Sequence, residues 1–529
     1  MSQGGASIAQ PQPQPESPQP AATDLTAGVE EPEQETGDAG VETPPPLGPA
    51  DAAEPIPVEP DRRLAWLGAR AAAILAARPT QLGAARVGVA IVDATTGKPL
   101  FVHDGDGRYS LASVTKVLTT GAALARLGAD FRWRTAVYAD RFDPATGRID
   151  GDLYVRGRGD PTLTSADLRA LAADVRRAGV RDVKGGLVFD GSYFDAVTEP
   201  PHFAEQPKER AGFRAPIGAF AIEGNSFAVA VTPDPTGRGA AAVTLEPPAG
   251  TYVAIRRAEV VTSLTGRTRI RVDVKVEKDA ITVAVAGQIR LDEGVWRTRR
   301  RIDDPVRFAG EALHAFLAGQ GIRVALAPIR TGAVPRTARV LAVHDSPALG
   351  DVLRDMDKSS NNFVAETVLK TLGAESRAAA APATWDDGLA AVRRWLVEEV
   401  GLSDGSFRVG NGSGLFGSTD FTPAQIAQVM LAAYRDFRLG PDFVGALPVG
   451  GVDGTLRRRF TAPSARGRVR AKTGTLASTA TLAGYVAVDG RRPLAFAILV
   501  NDIPDNQRAH ARAVQDALIE ACIAYLDTP

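Results

Sequence analysis

Ser113 and Lys116 stand three residues apart in Leu111-Ala112-Ser113-Val114-Thr115-Lys116, directly ahead of the apolar-rich run Val117 to Leu127. Positions i and i+3 share a helix face, so this spacing brings an amine within reach of a hydroxyl. That is a base beside a nucleophile. A helix starting here would also turn its first N–H groups, which favour negative charge, toward the serine. The pair alone decides little. About one Ser-x-x-Lys is expected by chance in a chain of this length, and a helix opened by Ser and carrying a solvated Lys is the plainer reading.

Two other clusters could join it. Met356-Asp357-Lys358-Ser359-Ser360-Asn361-Asn362 sets Ser360 and Asn362 two apart in a polar corner between helical runs, where both could face one cleft. Taken alone they are also ordinary helix caps. Arg470-Ala471-Lys472-Thr473-Gly474-Thr475-Leu476 places an ammonium and two hydroxyls along one strand. Gly474 there removes side-chain bulk, so a ligand backbone can lie close. One sequence match needs dismissal. Gly412-Ser413-Gly414-Leu415-Phe416-Gly417 fits the dinucleotide pattern G-x-G-x-x-G, but the next helix opens only at Thr422-Pro423, leaving no helix N-terminus for a pyrophosphate.

The elements that must position these groups fall into four texture blocks. Residues 1–60 are rich in Pro, Glu, Gln, Ala and Gly, with too little apolar surface to offset their ordering entropy, and read as a disordered leader. They lack the basic start and apolar run of a secretory signal. Residues 61–130 open with a helix from Arg63 to Arg78, continue with two strands between Arg86 and His103, and reach the Ser113 helix, which stops near Gly128. Residues 131–341 carry short alternating runs, clearest in Thr268–Glu277 and Ala280–Ala286, which predict half-buried antiparallel strands. Two helices interrupt them, one from Ser165 as N-cap to about Gly179, the other from Asp304-Pro305 to Gly319. Residues 342–529 turn helical: Pro347–Asp357, Phe363–Leu372, Thr384–Val400 with Thr384 as N-cap, and a helix opened by Thr422-Pro423. Strands Leu482–Val488 and Pro493–Val500 and a closing helix Asn506–Leu526 complete the chain.

Composition narrows the chemistry. A chain of 529 residues that is 44% apolar can build several cores. A formal net charge of −1 gives no electrostatic reason to expect nucleic acid or an anionic membrane as partner. With Cys522 alone there is no disulfide and no thiolate metal site, and the residue reads as core packing. His103, His202, His314, His344 and His510 are scattered without ligand spacing, which argues against a zinc hydrolase. No stretch reaches the roughly 18 apolar residues of a membrane span.

The order Ser-x-x-Lys, Ser-x-Asn, Lys-Thr-Gly is the set that marks penicillin-binding proteins and serine β-lactamases. The chain resembles the low-molecular-mass penicillin-binding proteins of the D-alanyl-D-alanine carboxypeptidase/endopeptidase class, peptidase family S13. Further blocks carry the likeness: Gly151 to Leu163, Gly191 to Asp195, Phe213-Arg214-Ala215-Pro216, Asn411 to Leu415 and Leu447 to Leu456. The resemblance spans about residues 62–526. It implies an α+β fold in which a penicillin-binding/β-lactamase-like transpeptidase domain, an antiparallel sheet flanked by helices (61–130 and 342–529), is interrupted by a β-rich insertion of one or two subdomains (131–341). Two features depart from the family. Asn411 stands where an Asp is usual, and Pro201 to Gly212 replaces an aromatic-rich run ending in Asp, implicated in gripping the substrate's diamino-acid side chain.

The resemblance also implies a mechanism. Ser113 would attack the carbonyl of a D-Ala–D-Ala bond of a peptidoglycan stem peptide, and Lys116, neutral through desolvation and Lys472, would take its proton. Ser360 would relay that proton, Asn362 would hold the substrate amide, and Lys472 would supply positive potential. Thr473 and Thr475, flanking Gly474, would bind the terminal carboxylate, and the N–H groups of Ser113 and Thr475 would form the oxyanion hole. No cofactor is required, and β-lactams are expected as covalent inhibitors. Such an enzyme would work in the periplasm or cell envelope. Its rivals are a β-lactamase-like serine hydrolase on the same scaffold and a non-catalytic wall-binding relative.

Overall fold

The run Val87-Gly88-Val89-Ala90-Ile91-Val92 is apolar throughout, which calls for a strand covered on both faces. In the computed structural model, which describes residues 55–528 apart from 206–209, 279, 326, 378–380 and 417–418, these six residues are all buried. Residues 1–54, most of the stretch read as a leader, lie outside the described residues. Strand Arg86–Asp93 lies second in a five-stranded antiparallel sheet ordered Pro99–His103, Arg86–Asp93, Leu494–Asn501, Thr479–Val486, Val469–Leu476. The strand carrying Lys472 to Thr475 is therefore an edge.

Ten α-helices occur among the described residues: α1 (Pro60–Ala76), α2 (Lys116–Leu127), α3 (Ser165–Arg177), α4 (Pro305–Gly319), α5 (Leu349–Ser359), α6 (Asn362–Glu375), α7 (Trp385–Glu398), α8 (Pro423–Arg435), α9 (Gly440–Ala446) and α10 (Arg508–Asp527). Strand alternation divides their partners. Val87, Val89 and Ile91 point to one face, where Leu67 and Ala71 of α1 meet Val514, Leu518 and Cys522 of α10. Ala90 and Val92 point to the other, against Val117 and Leu118 of α2, Trp395 of α7 and Met430 of α8. The fold is α+β, an antiparallel sheet with helices on both faces, as the sequence leads one to expect.

Between α2 and α5 the described residues build four further sheets, of three to five strands, around a separate core that includes Phe189, Phe227, Ile281, Phe308 and Leu313. Strand Arg134–Ala139 pairs antiparallel with Arg339–Asp345, so the segment leaves and rejoins the rest through neighbouring strands. The expected antiparallel pairing holds for its clearest case, Arg269–Glu277 with Ala280–Arg290, but not throughout. Leu153–Arg156 pairs parallel with Leu187–Asp190, and Val253–Ser263 parallel with Ala280–Arg290. Parallel strands need a long crossover, and α3 supplies it for the first pair. The cap of α3 also moves by one residue. Thr164, not Ser165, is the N-cap, because Asp167 three positions on closes a capping box with it. The helix expected over Pro347–Asp357 spans Leu349–Ser359, ending directly at Ser360.

Candidate active site

Ser113 lies in a 3₁₀ turn, Ala112–Thr115, that runs straight into α2 at Lys116. The sequence suggests a serine at the helix N-cap; instead the chain bends one residue earlier, at Ala112, whose φ is +47°. The bend is held from both sides. Thr481 Oγ1 donates to Leu111 O at 2.6 Å from the central sheet. Gly414 closes the other side, where a Cβ would sit 1.9 Å from Ala112 O, so only glycine fits.

The Lys116 side chain is fully buried, and its Nζ meets three oxygens: Ser113 Oγ at 3.1 Å, Asn362 Oδ1 at 2.7 Å and Ser413 O at 2.9 Å. A neutral amine has two N–H groups and one lone pair. The amide and carbonyl oxygens can only accept, so they use the two N–H groups and leave the lone pair for the serine hydroxyl. Electrostatics favour that neutral form. Burial, and next the positive charge of Lys472, hold Lys116 well below the usual lysine range, against opposing pulls from Glu366 and Asp357.

Ser360 ends α5 in the left-handed region, with φ 58° and ψ 36°. Such backbone is common for glycine at a helix end but costs a serine roughly 1 kcal/mol. The next residue, Asn361, caps α6 by accepting from Val364 N at 3.1 Å. The two helices thus meet at a corner that offers Ser360 to Lys472 and Asn362 to Lys116. Lys472, fully buried, donates from Nζ to Ser360 Oγ and to Thr473 O, each at 2.9 Å.

The edge strand faces this corner. Ala471 N donates outward to Pro448 O at 3.0 Å, away from Thr479–Val486. Strand geometry repeats every second residue, so the N–H groups of Thr473 and Thr475 point off the same edge. Gly474 is the point of closest approach: a Cβ there would lie 2.2 Å from Thr481 Oγ1, 2.5 Å from Leu111 O and 3.0 Å from Ser113 N. The Ser113 amide therefore lies against the strand at Gly474, next to Thr475. Thr473 Oγ1 is 2.8 Å from Thr455 Oγ1.

Three supporting residues escape a motif search. Ser413 contributes a backbone carbonyl, which no side-chain pattern announces. Glu366, fully buried on α6, fixes that carbonyl by accepting from Gly412 N at 3.0 Å and Ser413 N at 2.8 Å. A charged residue inside the otherwise largely apolar run Phe363 to Leu369 was the available signal. Asp357, buried on α5, is the third. The loop holding Gly412 and Gly414 thus serves the lysine, not a nucleotide; Gly417 lies outside the described residues. Asn411 ties it together, accepting from Gly414 N at 2.7 Å and donating to Leu415 O at 2.8 Å and Pro201 O at 3.3 Å. Of the stretch Pro201 to Gly212, residues 206–209 lie outside the described residues; Phe203 packs edge-on against Phe416 with ring centres 5.7 Å apart, and the Arg214 guanidinium lies over both rings.

A serine hydroxyl facing a buried lysine, beside the open edge of an antiparallel sheet flanked by helices, is the arrangement of the penicillin-recognising serine hydrolases. The family model described as D-Ala-D-Ala carboxypeptidase 3 (S13) family matches residues 68–522, and the chain belongs to that family, serine-type D-Ala-D-Ala carboxypeptidases of the penicillin-binding protein class. A D-alanyl-D-alanine carboxypeptidase of Actinomadura sp. is 32% identical over 451 residues, covering 83% of this chain and 81% of that protein. The crystal structure of penicillin binding protein 4 from Haemophilus influenzae superposes with a TM-score of 0.69 at 22% identity, covering 85% of this chain and 98% of that one. The same protein complexed with a β-lactam superposes with a TM-score of 0.65 at 23% identity, again over 85% of this chain and 98% of that one.

Proposed function

We propose that Ser113 is the nucleophile of a serine D-Ala-D-Ala peptidase that acts on peptidoglycan stem peptides. The observation that carries this reading is the contact set of Lys116: two obligate acceptors use its N–H groups and leave a lone pair facing Ser113 Oγ.

The hydroxyl proton passes to Lys116 as Oγ bonds to the scissile carbonyl carbon. The oxygen of that carbonyl gains negative charge between the N–H groups of Ser113 and Thr475. As the C–N bond breaks, Ser360, held by Lys472, returns a proton to the leaving amine. Asn362, its oxygen committed to Lys116, offers its amide nitrogen to the substrate backbone. Lys472 and the hydroxyls of Thr473 and Thr475 attract the terminal carboxylate beside Gly474. Water then releases the acyl group. The same steps on a β-lactam leave a penicilloyl ester on Ser113, in keeping with the β-lactam complex of the Haemophilus influenzae protein.

We also read residues 61–130 and 342–529 as one catalytic domain interrupted by 131–341, a reading supported by the strand pairing at the neck of the insertion. Its polymer substrate places the enzyme in the periplasm or cell envelope; among the described residues no helix is long and apolar enough to cross a membrane.

Incubation with a fluorescent penicillin tests the reading. Wild type is expected to take one covalent label and Ser113→Ala none; an unlabelled wild type, or a labelled Ser113→Ala, would sink it. Mass spectrometry of digested cross-linked muropeptides then separates loss of terminal D-Ala from loss of cross-links.

A further inference from the structure

Of the two buried carboxyls that act on Lys116, one has no task in the steps above. Asp357 lies on α5 three residues before Ser360 and is fully buried. Its Oδ2 accepts from Thr120 Oγ1 at 2.7 Å, and Thr120 lies one turn beyond Lys116 on α2. Its Oδ1 is buried without a hydrogen-bond partner among the described residues. A carboxyl kept only to fill space would be replaced by an apolar side chain without loss, because its desolvation is unfavourable and only half its bonding capacity is used.

The groups facing it suggest what offsets that cost. From α2 come Lys116 and Thr120, and from the edge strand comes Lys472; all three draw the carboxyl toward its ionised form. Glu366, on α6, is the other carboxyl acting on Lys116, but its oxygens are committed to the Gly412 and Ser413 amides. Burial wins only partly over the lysines and pushes Asp357 up to about 7, so the group changes charge near neutrality.

We propose that Asp357 is a positioning residue for acylation: as a carboxylate it supplies the counter-charge for the Lys116 ammonium formed when Ser113 attacks. In that step the Ser113 O–H bond breaks, its proton bonds to the Lys116 lone pair, and Oγ bonds to the carbonyl carbon. A buried neutral amine thereby becomes a buried cation, and the only compensation available without rearrangement is a preplaced anion. Asp357 is held by Thr120, which lies one helical turn beyond Lys116. Its ionised form stabilises the product of proton transfer more than the reactant, which is the condition for accelerating the step. This inference rests on the acyl-enzyme reading of Ser113.

The test is the acylation rate constant for a fluorescent penicillin, measured from pH 5 to 9, for wild type, Asp357→Asn and Thr120→Val. Asp357→Asn can still accept from Thr120 but carries no charge. It is expected to lower the plateau rate tenfold or more and to move the acid limb of the profile to lower pH, since Lys116 loses a nearby anion. The limb also becomes less steep, with one titrating group in place of two. Thr120→Val, which removes the hydrogen bond that favours the carboxylate, leaves Asp357 ionising at higher pH and is expected to move the limb the opposite way, to higher pH, and it carries the test should Asp357→Asn fail to fold. Variants whose acid limbs coincide with that of wild type, whatever their plateau, overturn the proposal. A wild type that takes no label overturns the acyl-enzyme reading instead, and this inference with it.

Discussion

Lys116 can serve as the proposed base only while it is neutral, and burial and the charge of Lys472 favour that state. Lys116→Arg separates charge from basicity. A guanidinium stays protonated, so acylation by fluorescent penicillin is expected to fall by on the order of 10²–10⁴-fold while circular dichroism remains unchanged. Asn411 makes a second residue-level case. Its amide nitrogen donates to two half-buried carbonyls, those of Leu415 and Pro201. Asn411→Asp keeps the bond from Gly414 but removes both donors and adds a buried charge. Each lost bond costs about 0.5–1.5 kcal/mol and the buried charge adds to that, so a melting temperature lower by a few degrees is expected in a thermal-shift assay. The catalytic side chains could be read from residue types because their chemistry needs those types. Ser413 could not: its contribution is a carbonyl that any residue has, placed by Glu366 through contacts the chain makes only after folding.

The elements that hold the site differ in how openly the sequence shows them. Caps are local, so Asp304 with Pro305, Thr384 and Thr422 are legible; Ser165 misleads because Thr164 and Asp167 form the stronger reciprocal pair. Alternation marks a half-buried strand but not the direction of its neighbour. Val253–Ser263 lacks even that alternation, exposing four consecutive residues, Arg256 to Glu259, and it pairs parallel. The edge strand shows an element working at close range. Gly474→Ala would drive a methyl group against Thr481 Oγ1, Leu111 O and Ser113 N. The strand and the Ser113 turn would have to part by a few tenths of an ångström or more, misplacing the nucleophile against the oxyanion donors. A loss of about 10²-fold in acylation rate, with melting temperature changed much less, is the expected result.

Across the whole molecule, the buried charges of the site make stability depend on pH. Asp357 titrates near 3.8 when exposed and is pushed up to about 7 in the fold. Between those values the folded chain keeps a proton that the unfolded chain has released, so stability falls as pH rises from about 4 to about 7. Asp357→Asn removes that contribution. Its melting temperature relative to wild type is expected to climb across this window and level off above it, even as its acylation slows. A constant difference across the window would show that the carboxyl titrates normally. The overall architecture could be read from the sequence because three motifs fix the order of the catalytic pieces and the textures between them separate helical from β-rich segments. The mixed sheets of the insertion could not, since they depend on which distant strands meet.

The central sheet joins Arg86–Asp93 to Leu494–Asn501, strands from nearly opposite ends of the sequence. Their pairing has to wait until the chain has been made through Asn501, and closing so long a loop is slow compared with local contacts. Ser113 and Lys116 are made early but cannot be assembled with Lys472 before that closure. A chain cut short before Leu494–Asn501 lacks a strand of that sheet and is expected to take no penicillin label.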